Sequence, residues 1–524
     1  MQRTGTERKI RGVEQEYPVS AKGHLNPSLL ANAAIQGLKW RQISREVAWD
    51  RGMETSQELH EARIRSSFAN NGSRIYNDMG HLEIATPSYN NPFDAVAYDK
   101  AAEIYAVVGA REAGIAVQER VVIHKNNVAN SIGNLESGAR SGKRRTITTR
   151  TYATHGNFIT TRAACTDWSR VERALIPWIV TRIVFTGGGD VISGDLTGEA
   201  GVKFVISPRA LFVTQQSSLS TTTSRGILNT RDQPHAAHHY WRLHDIHYEA
   251  LRSEYALFLR DIMQALVIRA FELGFLDGAP ELEDPVNTFK RLARDTKSCE
   301  WRITLKSGVR TDAVAVLQFY LDAVERLQEA EEHGPSSWDE IGLRCFAELL
   351  ADLEARQLEK YVDGIDWVTK LALLVNYDPR TAAEGIGICN QYALLDESSL
   401  SYLGKERGMP RSNVLFNPCD SLAFVERAVP GVNWTALPDR ISYAVANAPE
   451  QTRDYFKTAL LKRYGSQVRR VSWSTIELMG ARVLLDEPFM LNAEEIGDAV
   501  AEENAELPAI LAAAKRLYPD KVTL

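Results

Sequence analysis

Apolar and polar residues alternate with period two over Arg11–Tyr17, which predicts a short β-strand with Glu14 and Glu16 on one face. Further along, Asn70-Asn71-Gly72 is a turn signal, and the residues after it, Ser73–Thr86, are predicted to form a hairpin or a pair of strands. The N-terminal part of the chain is therefore expected to contribute strands that carry acidic side chains.

Apolar residues that recur at helical spacing predict several helices, of which Asp94–Ala113 is the clearest, with Asp94 as its expected N-cap. A helix over Ala448–Tyr464 is expected to have Asn447 as its N-cap. The remaining predicted helices are 27–40, 241–273, 311–332 and 338–375, and the remaining predicted strands are 121–127, 202–208, 211–215 and 468–476.

The segment Ala129–Thr154 is rich in Gly, Ser, Thr and Arg and is predicted to be either a long hairpin or a mobile loop, an element that often carries function. Its basic residues indicate a solvated loop or, alternatively, a surface that meets an acidic partner or a phosphate. These residues are Lys143, Arg144, Arg145 and Arg150.

Composition limits the classes of protein to consider. The 524 residues are 44% hydrophobic and 24% charged with a net charge of -6, which fits a soluble protein with a large core and disfavours nucleic-acid binding. No apolar run reaches the ~18 residues of a membrane span, and Met1–Lys9 lacks the apolar core of a signal peptide. Five scattered cysteines without a CxxC pair indicate reduced thiols, so we expect a cytoplasmic protein that binds neither membrane nor nucleic acid.

Carboxylates at alternate strand positions are the first candidates for chemistry. Besides Glu14 and Glu16, the segment 76–83 contains Asp78 and Glu83. Strands that direct carboxylates into one cavity suit Mg²⁺, which takes oxygen ligands and substrate phosphates. The alternative is a set of solvated carboxylates on an exposed strand face.

A group of histidines offers a second candidate site. Zinc binding is possible at such a cluster, but the predicted helix around His244 and His247 has no HExxH pattern, so surface or supporting roles are favoured. Gly187-Gly188-Gly189 lacks a phosphate-loop pattern and predicts a tight turn. The clustered histidines are His235, His238, His239, His244 and His247.

A series of motifs, taken in order, resembles the Pup ligase / Pup deamidase-depupylase family, which belongs to the carboxylate-amine ligases related to glutamine synthetase. SRGILNTRDQPHA is the most specific of these motifs. The series is GVEQEYPV (12–19), NGSRIYNDMGHLEIATP (71–87), HKNNV (124–128), THGNF (154–158), ISPRALF (206–212), TTTSRGILNTRDQPHA (221–236), DGIDWVTKLALL (363–374), TRDYF (452–456) and VSWST (471–475).

The resemblance implies an α+β fold in which a curved antiparallel β-sheet cradle is backed by helices, with a catalytic domain over 1–430 and a small C-terminal domain over 431–524. It implies ATP and Mg²⁺ as cofactors and a Pup-like protein tag as partner. Asp78 falls on the family's catalytic position. The implied metal-site residues are Glu14, Glu16, Tyr76, Glu83 and His155, and the implied ATP-binding residues are Arg225, Arg231, Arg453 and Trp473.

Three features favour the deamidase branch of the resembled family, and hence a hydrolase of a glutamine or glutamate side-chain amide. The D-x-x-H-x-E spacing starting at Asp78 is that of deamidases, and Gly226 stands where ligases more often have proline. Trp49-Asp50-Arg51-Gly52 resembles the start of the deamidase loop. The alternatives are an ATP-dependent ligase that joins a glutamate γ-carboxylate to an amine and an inactive peptide-binding homologue.

Two departures from the family pattern affect the expected site. The family's H-E-N reads His155-Gly156-Asn157 here, which removes a carboxylate expected near the nucleotide or the metal. The family's NNVDGKG reads NNVANSIGN, followed by an insertion that belongs to the segment 129–154. The first change is the main argument for the inactive alternative.

Overall fold

The computed structural model describes residues 3–23, 25–49, 66–135, 144–192, 203–330, 334–396, 411–413, 416–419, 421–502 and 504–524. The predicted deamidase-type segment 50–52 lies outside these residues. The described helices are α1 Pro27–Trp40, α2 Pro92–Val117, α3 Trp168–Thr181, α4 Ile183–Thr186, α5 Glu254–Glu272, α6 Pro285–Arg294, α7 Ala313–Ala330, α8 Ser337–Glu354, α9 Asp366–Tyr377, α10 Ala382–Ala393, α11 Ser421–Ala428, α12 Leu437–Ala446, α13 Asp454–Tyr464, α14 Ala493–Ala501 and α15 Leu507–Leu517.

The strands supply the framework of the site. They are β1 Arg11–Tyr17, β2 Val19–Ala21, β3 Ser44–Glu46, β4 Ala48–Trp49, β5 Ser67–Ala69, β6 Arg74–Asp78, β7 His81–Ala85, β8 Val121–His124, β9 Val128–Leu135, β10 Arg144–Thr151, β11 Thr154–Thr161, β12 Asp190–Ile192, β13 Lys203–Val205, β14 Val213–Ser218, β15 Arg225–Asn229, β16 Tyr240–Tyr248, β17 Arg302–Thr304, β18 Arg310–Asp312, β19 Leu394–Leu395, β20 Arg411–Asn413, β21 Phe416–Cys419, β22 Val468–Val471, β23 Thr475–Leu478, β24 Ala481–Leu484 and β25 Val522–Thr523.

The largest sheet within the described ranges has nine strands in the order β14-β15-β16-β11-β1-β7-β6-β5-β3. Its neighbours pair antiparallel, apart from the parallel pair β14–β15. β1 lies at the centre of this sheet, between β11 and β7. The predicted α+β fold with a sheet backed by helices is confirmed, with this one parallel pair added.

Helices α2 and α5 pack against the sheet and are buried on nearly every side, so that even charged residues such as Asp99 and Arg260 lie in the interior. The main hydrophobic core joins both helices to the sheet, and α12 also belongs to it through Leu437, Ile441 and Ala444. None of the described helices combines the length and apolarity that a membrane crossing requires.

A second hydrophobic core is formed mainly by residues 456–522 and includes Val47 and Phe68 from the N-terminal part of the chain. Its sheet has the order β25-β24-β23-β22-β4 among the described strands, and β4 pairs parallel with β22. The division of the chain at residue 430 stays a prediction.

Several predicted elements have different bounds in the structure. Residues 241–248 of the predicted helix 241–273 are strand β16, because the alternating sequence pairs with β11 and is buried on both faces. The predicted helix 338–375 is two helices, α8 and α9. The predicted strand 211–215 starts with a 3₁₀ turn, Arg209–Phe212, before β14.

Both predicted N-caps are wrong. The side chain of Asn91 caps α2 by accepting from the Asp94 N–H (2.8 Å), because Pro92 starts the helix earlier than expected. Asn447 instead follows the last turn of α12, where its N–H donates to Tyr443 O (2.8 Å), and α13 begins only at Asp454. In the described part of segment 129–154, β9 and β10 pair antiparallel, which is the pairing that the hairpin alternative predicts.

Candidate active site

The central strand β1 places Glu14 and Glu16 on the same face of the large sheet. Glu14 is paired with His155 of β11, and Glu16 is paired with Glu83 of β7. Glu83 is in turn paired with Tyr76 of β6. Because paired residues of antiparallel strands point to the same side, the five predicted metal-site residues lie on one face of the sheet, in two neighbouring cross-strand rows.

The turn between β6 and β7 brings Asp78 to this face of the sheet, beside Glu16 and Glu83. Met79 and Gly80 both have positive φ, 47° and 98°, as a two-residue type I′ hairpin turn requires. The Gly80 N–H donates to Asn77 Oδ1 (2.9 Å), which fixes the turn. In this register Asp78 is paired with His81, whose Nδ1 lies 3.7 Å from Glu16 Oε2.

Two groups of candidate ligands follow from this arrangement. The first, called the mixed cluster here, consists of Glu14, His155 and His244; the second, the acidic cluster, consists of Glu16, Asp78 and Glu83. In each cluster the three ligand atoms lie within 4.8 Å of one another. Carboxylates and imidazoles at this spacing can share a divalent cation.

In the mixed cluster, His155 Nδ1 lies 3.2 Å from Glu14 Oε2, and Asn157 Nδ2 donates to Glu14 Oε1 (3.2 Å). Burial acts to raise the pKa of Glu14, but the adjacent His155 and His244 outweigh it and hold that pKa well below its usual range. Burial and the charge of Arg242 lower the pKa of His244 to about 3. The carboxylate is thus ionised and the imidazole neutral near pH 7.

In the acidic cluster, burial and the charge of Asp78 raise the pKa of Glu16 to about 7. Burial, followed by the charges of Asp78 and Glu16, raises the pKa of Glu83 well above its usual range. Three desolvated carboxylates at this distance repel one another. A bound cation would remove that repulsion.

An open cavity adjoins the mixed cluster and reaches the C-terminal part of the chain. Glu14, Arg242, Arg453 and Trp473 line it, together with Thr86 and His235. Lys457 supports Trp473: its Nζ lies 5.4 Å from the centre of the indole ring and donates to the Trp473 carbonyl oxygen (3.4 Å). An aromatic wall and two arginines suit a base and a phosphate chain.

Arg225 and Arg231 lie apart from this cavity. Arg225 is the first residue of β15 and lies near Arg209. Burial and the positive charge of Arg225 lower the pKa of Arg209 to about 9. The charge of Glu16 acts on both arginines. Arg231 follows β15, where its N–H donates to Asn229 Oδ1 (2.9 Å). The structure therefore brings Arg453 and Trp473 together at the cavity and puts Arg225 near the acidic cluster.

The expectation that Gly156 removes a carboxylate from the site is wrong for this chain. Gly156 pairs with Val13, and both alternate with the site-facing residues of their strands. A Cβ atom at Gly156 would lie 2.7–2.9 Å from three ring atoms of Tyr248. A side chain at residue 156 would therefore enter the core and not the site.

The surface alternative for the histidine group is wrong for His244, which is buried and lies in the mixed cluster. The sequence signal for it was the alternation of 241–248, which a helical interpretation concealed. Asn157 and Arg242 were missed as well: Arg242 donates to Asn157 Oδ1 (2.7 Å), and Asn157 holds Glu14.

A family model and several known proteins are similar to this chain. A sequence model of the family described as Pup-ligase protein matches residues 9–477. The depupylase of Acidothermus cellulolyticus is 29% identical over an alignment that covers 94% of this chain and 96% of the depupylase. The Pup–protein ligase of Acidimicrobium ferrooxidans is 29% identical over an alignment that covers 93% of this chain and 97% of the ligase.

Two solved structures have the same fold. A complex of the prokaryotic ubiquitin-like protein Pup with its ligase PafA matches with a TM-score of 0.69 and 21% identity, covering 98% of this chain and 93% of that chain. PafA in complex with ADP matches with a TM-score of 0.63 and 22% identity, and the match covers 87% of this chain and 90% of that PafA chain. With the family match spanning most of its length, this chain belongs to the Pup-ligase family.

Proposed function

We propose that this protein is an ATP- and Mg²⁺-dependent hydrolase that cleaves a glutamine or glutamate side-chain amide or isopeptide bond on a Pup-like tag in the cytoplasm. The observation that carries the proposal is the position of Asp78. It shares a cluster with Glu16 and Glu83 at the end of a fixed turn, on the sheet whose central strand also carries Glu14, which lines the cavity with Arg453 and Trp473.

The side chains of the two clusters are suited to bind divalent cations, and those that line the cavity are suited to bind a nucleotide. Both ring nitrogens of His244 are buried without a hydrogen-bond partner, and the carboxylates of the acidic cluster crowd one another. In this proposal Glu14, Glu16, Tyr76, Glu83 and His155 hold the cations. Bound cations would supply charge neutralisation for phosphates and polarise an oxygen atom of the substrate.

The chain's own groups account for the remaining chemistry. Asp78 takes a proton from an attacking water or attacks the amide carbon itself. Arg225, next to Arg209, is placed to hold negative charge that develops on a carbonyl or phosphoryl oxygen, because a guanidinium donates in a bidentate fashion. Trp473 stacks on the nucleotide base, with Arg453 beside it and Arg231 at the phosphate end.

The hydrolase direction is supported by the turn at Asp78. The D-x-x-H spacing yields a two-residue turn in which Asp78 and His81 are paired directly. One more residue in this loop, as in most ligases, would change the turn type and shift His81 out of this register. Overall similarity does not favour a branch, since a depupylase and a ligase are both 29% identical to this chain.

A Pup-like tag as partner is supported by the relatives. The similar enzymes are named for their action on Pup, and one structure of the same fold is a complex with Pup. The ligase direction remains the second candidate, because a Pup–protein ligase matches 93% of this chain. Ligation would use the same site, with Asp78 taking a proton from the incoming amine.

The test is to incubate the protein with ATP, Mg²⁺ and a Pup-like peptide ending in glutamine, and to quantify ammonia and ADP. Ammonia release without equivalent ADP supports the hydrolase. ADP formed in proportion to a new amide in the presence of an amine supports the ligase. The matched control is Asp277→Asn, which changes an exposed aspartate that belongs neither to the two clusters nor to the cavity lining and should leave turnover unchanged.

A further inference from the structure

The two ligand clusters differ in chemistry. The acidic cluster offers oxygen atoms alone, whereas the mixed cluster offers two imidazole nitrogens and one carboxylate oxygen. We propose that Glu14, His155 and His244 form a site that prefers a transition-metal dication, such as Mn²⁺ or Zn²⁺, to Mg²⁺. The inference rests on the proposed function in assuming a metal-dependent site, and adds which class of metal each cluster takes.

His244 is the residue that points most directly to a metal. Its side chain is 3% exposed, and neither ring nitrogen has a hydrogen-bond partner. Nε2 lies 3.7 Å from Glu14 Oε2, which is too long for a hydrogen bond. Leaving two polar nitrogens unsatisfied in the interior is costly, and a metal ion placed between His244 and Glu14 would satisfy one of them.

His155 completes the set from the neighbouring strand. Its ring meets that of His244 edge to face with centroids 4.9 Å apart, so the two imidazoles approach one point from different directions. The three ligands come from three adjacent strands, β1, β11 and β16. Positions on paired strands are fixed by the sheet, which gives the site a rigid geometry before any ion binds.

Glu14 is held so that one of its oxygens faces the histidines. Oε1 accepts from Asn157 Nδ2 (3.2 Å) and lies 3.7 Å from an Arg242 nitrogen, while Oε2 faces His155 and His244. A bidentate carboxylate is thereby disfavoured, and the protein supplies two nitrogens and one oxygen. Solvent or a phosphate can occupy the remaining positions.

This donor set discriminates between metals. Mg²⁺ prefers six oxygen ligands and gains little from imidazole, whereas first-row transition metals bind imidazole well, with Mn²⁺ the weakest of them. Selection of Mn²⁺ over Mg²⁺ is therefore the most demanding test of the idea. The acidic cluster, by contrast, matches Mg²⁺.

The experiment measures binding to the full chain after removal of metals, without nucleotide or tag. Mn²⁺ is followed by electron paramagnetic resonance in the presence of a ~100-fold excess of Mg²⁺, and Zn²⁺ is then added as a competitor. Pulsed measurements detect nitrogen nuclei bound to Mn²⁺. The variants are His244→Gln, Glu16→Gln in the acidic cluster and, as matched control, His239→Gln, an exposed histidine outside both clusters.

We expect the wild-type chain, Glu16→Gln and His239→Gln to retain one Mn²⁺ with a nitrogen signal that Zn²⁺ removes, and His244→Gln to bind Mn²⁺ at least about tenfold more weakly. Loss of wild-type Mn²⁺ to the Mg²⁺ excess, or a wild-type Mn²⁺ signal without nitrogen coupling, overturns the inference. The wild-type spectrum decides the matter even if a variant does not fold. Since no substrate is present, failure here leaves the ammonia and ADP assay as a separate test of the proposed function.

Discussion

The Tyr248 ring fills the space behind Gly156, so that a Cβ atom at residue 156 would approach the ring to 2.7 Å. Arg182 and Arg260 lie over the same ring, 4.9 and 4.4 Å from its centre, and hold it in place. The glycine is thus required by a tyrosine in the core. Its presence says nothing against catalysis on the opposite face of the sheet.

Gly156→Ala should therefore destabilise the protein by about 1–3 kcal/mol, the usual cost of overpacking a core. Denaturant unfolding measures the change. Gly387→Ala is the control, because a Cβ there meets no atom within 4 Å and alanine favours the helix. Equal stability of Gly156→Ala and wild type would mean that Tyr248 moves aside freely.

Asp78→Asn should abolish amide cleavage while ATP binding stays nearly intact, because the amide keeps the shape of the carboxyl group but cannot act as base or nucleophile. Loss of a general base typically costs about 10² to 10⁴-fold in rate. The ammonia assay and calorimetry with ATP measure the two effects. Retention of more than about a tenth of wild-type turnover would exclude this role.

Nucleotide binding should depend on divalent cations, with Mg²⁺ in the acidic cluster, and should weaken sharply in Glu14→Gln and in Glu83→Gln. Each substitution removes one negative charge from a cluster of candidate ligands, and hard cations need such oxygens. Calorimetry with and without a chelator tests the prediction. An ATP affinity that the chelator does not alter contradicts the magnesium site.

Removal of the β9–β10 hairpin should change substrate choice more than stability. The base of the hairpin is anchored independently, since Tyr152 donates to Val128 O (2.7 Å) and Asn127 Nδ2 donates to Tyr152 O (3.1 Å). The deletion rejoins Asn130 to Tyr152, and competing peptides with acidic or neutral flanks are compared. A collapse in melting temperature would show that the hairpin is core structure, and unchanged turnover on every peptide would show that it is idle.

The free energy of unfolding should decrease as the pH rises from about 4.5 to about 7, because of the titration of Glu249. Burial raises the pKa of this carboxyl to about 7, although it accepts from Ser207 Oγ (2.5 Å) and Gly188 N (2.6 Å). Because the folded state holds the proton more tightly than the unfolded state, its contribution is full below pH ~4.5 and is lost as pH rises to about 7.

Glu249→Gln should flatten this dependence, as measured by the free energy of unfolding in denaturant at several pH values. The exposed Glu340→Gln serves as control. Identical pH profiles for wild type and Glu249→Gln would show that the group titrates at the same pH in both states.

The sequence predicted the strands that carry Glu14, Glu16 and Asp78, because their alternation and the Asn-Gly turn are local signals. It also predicted α1 to the residue. His244 was missed because β16 is buried on both faces, so that its polar residues do not mark a solvent side. The orientation of Gly156 could not be predicted, since it depends on the pairing of β11 with β1 and on Tyr248, which is distant in sequence.

The parallel pairing of β4 with β22 ties the beginning of the chain to its end. The loop after β22 carries Trp473, which lines the cavity together with Glu14 of β1. During synthesis, the nascent chain therefore holds its acidic strands long before the wall that encloses them exists. A ribosome that stalls before Val471 therefore yields a product that contains the residues of the acidic cluster and lacks the tryptophan wall of the cavity.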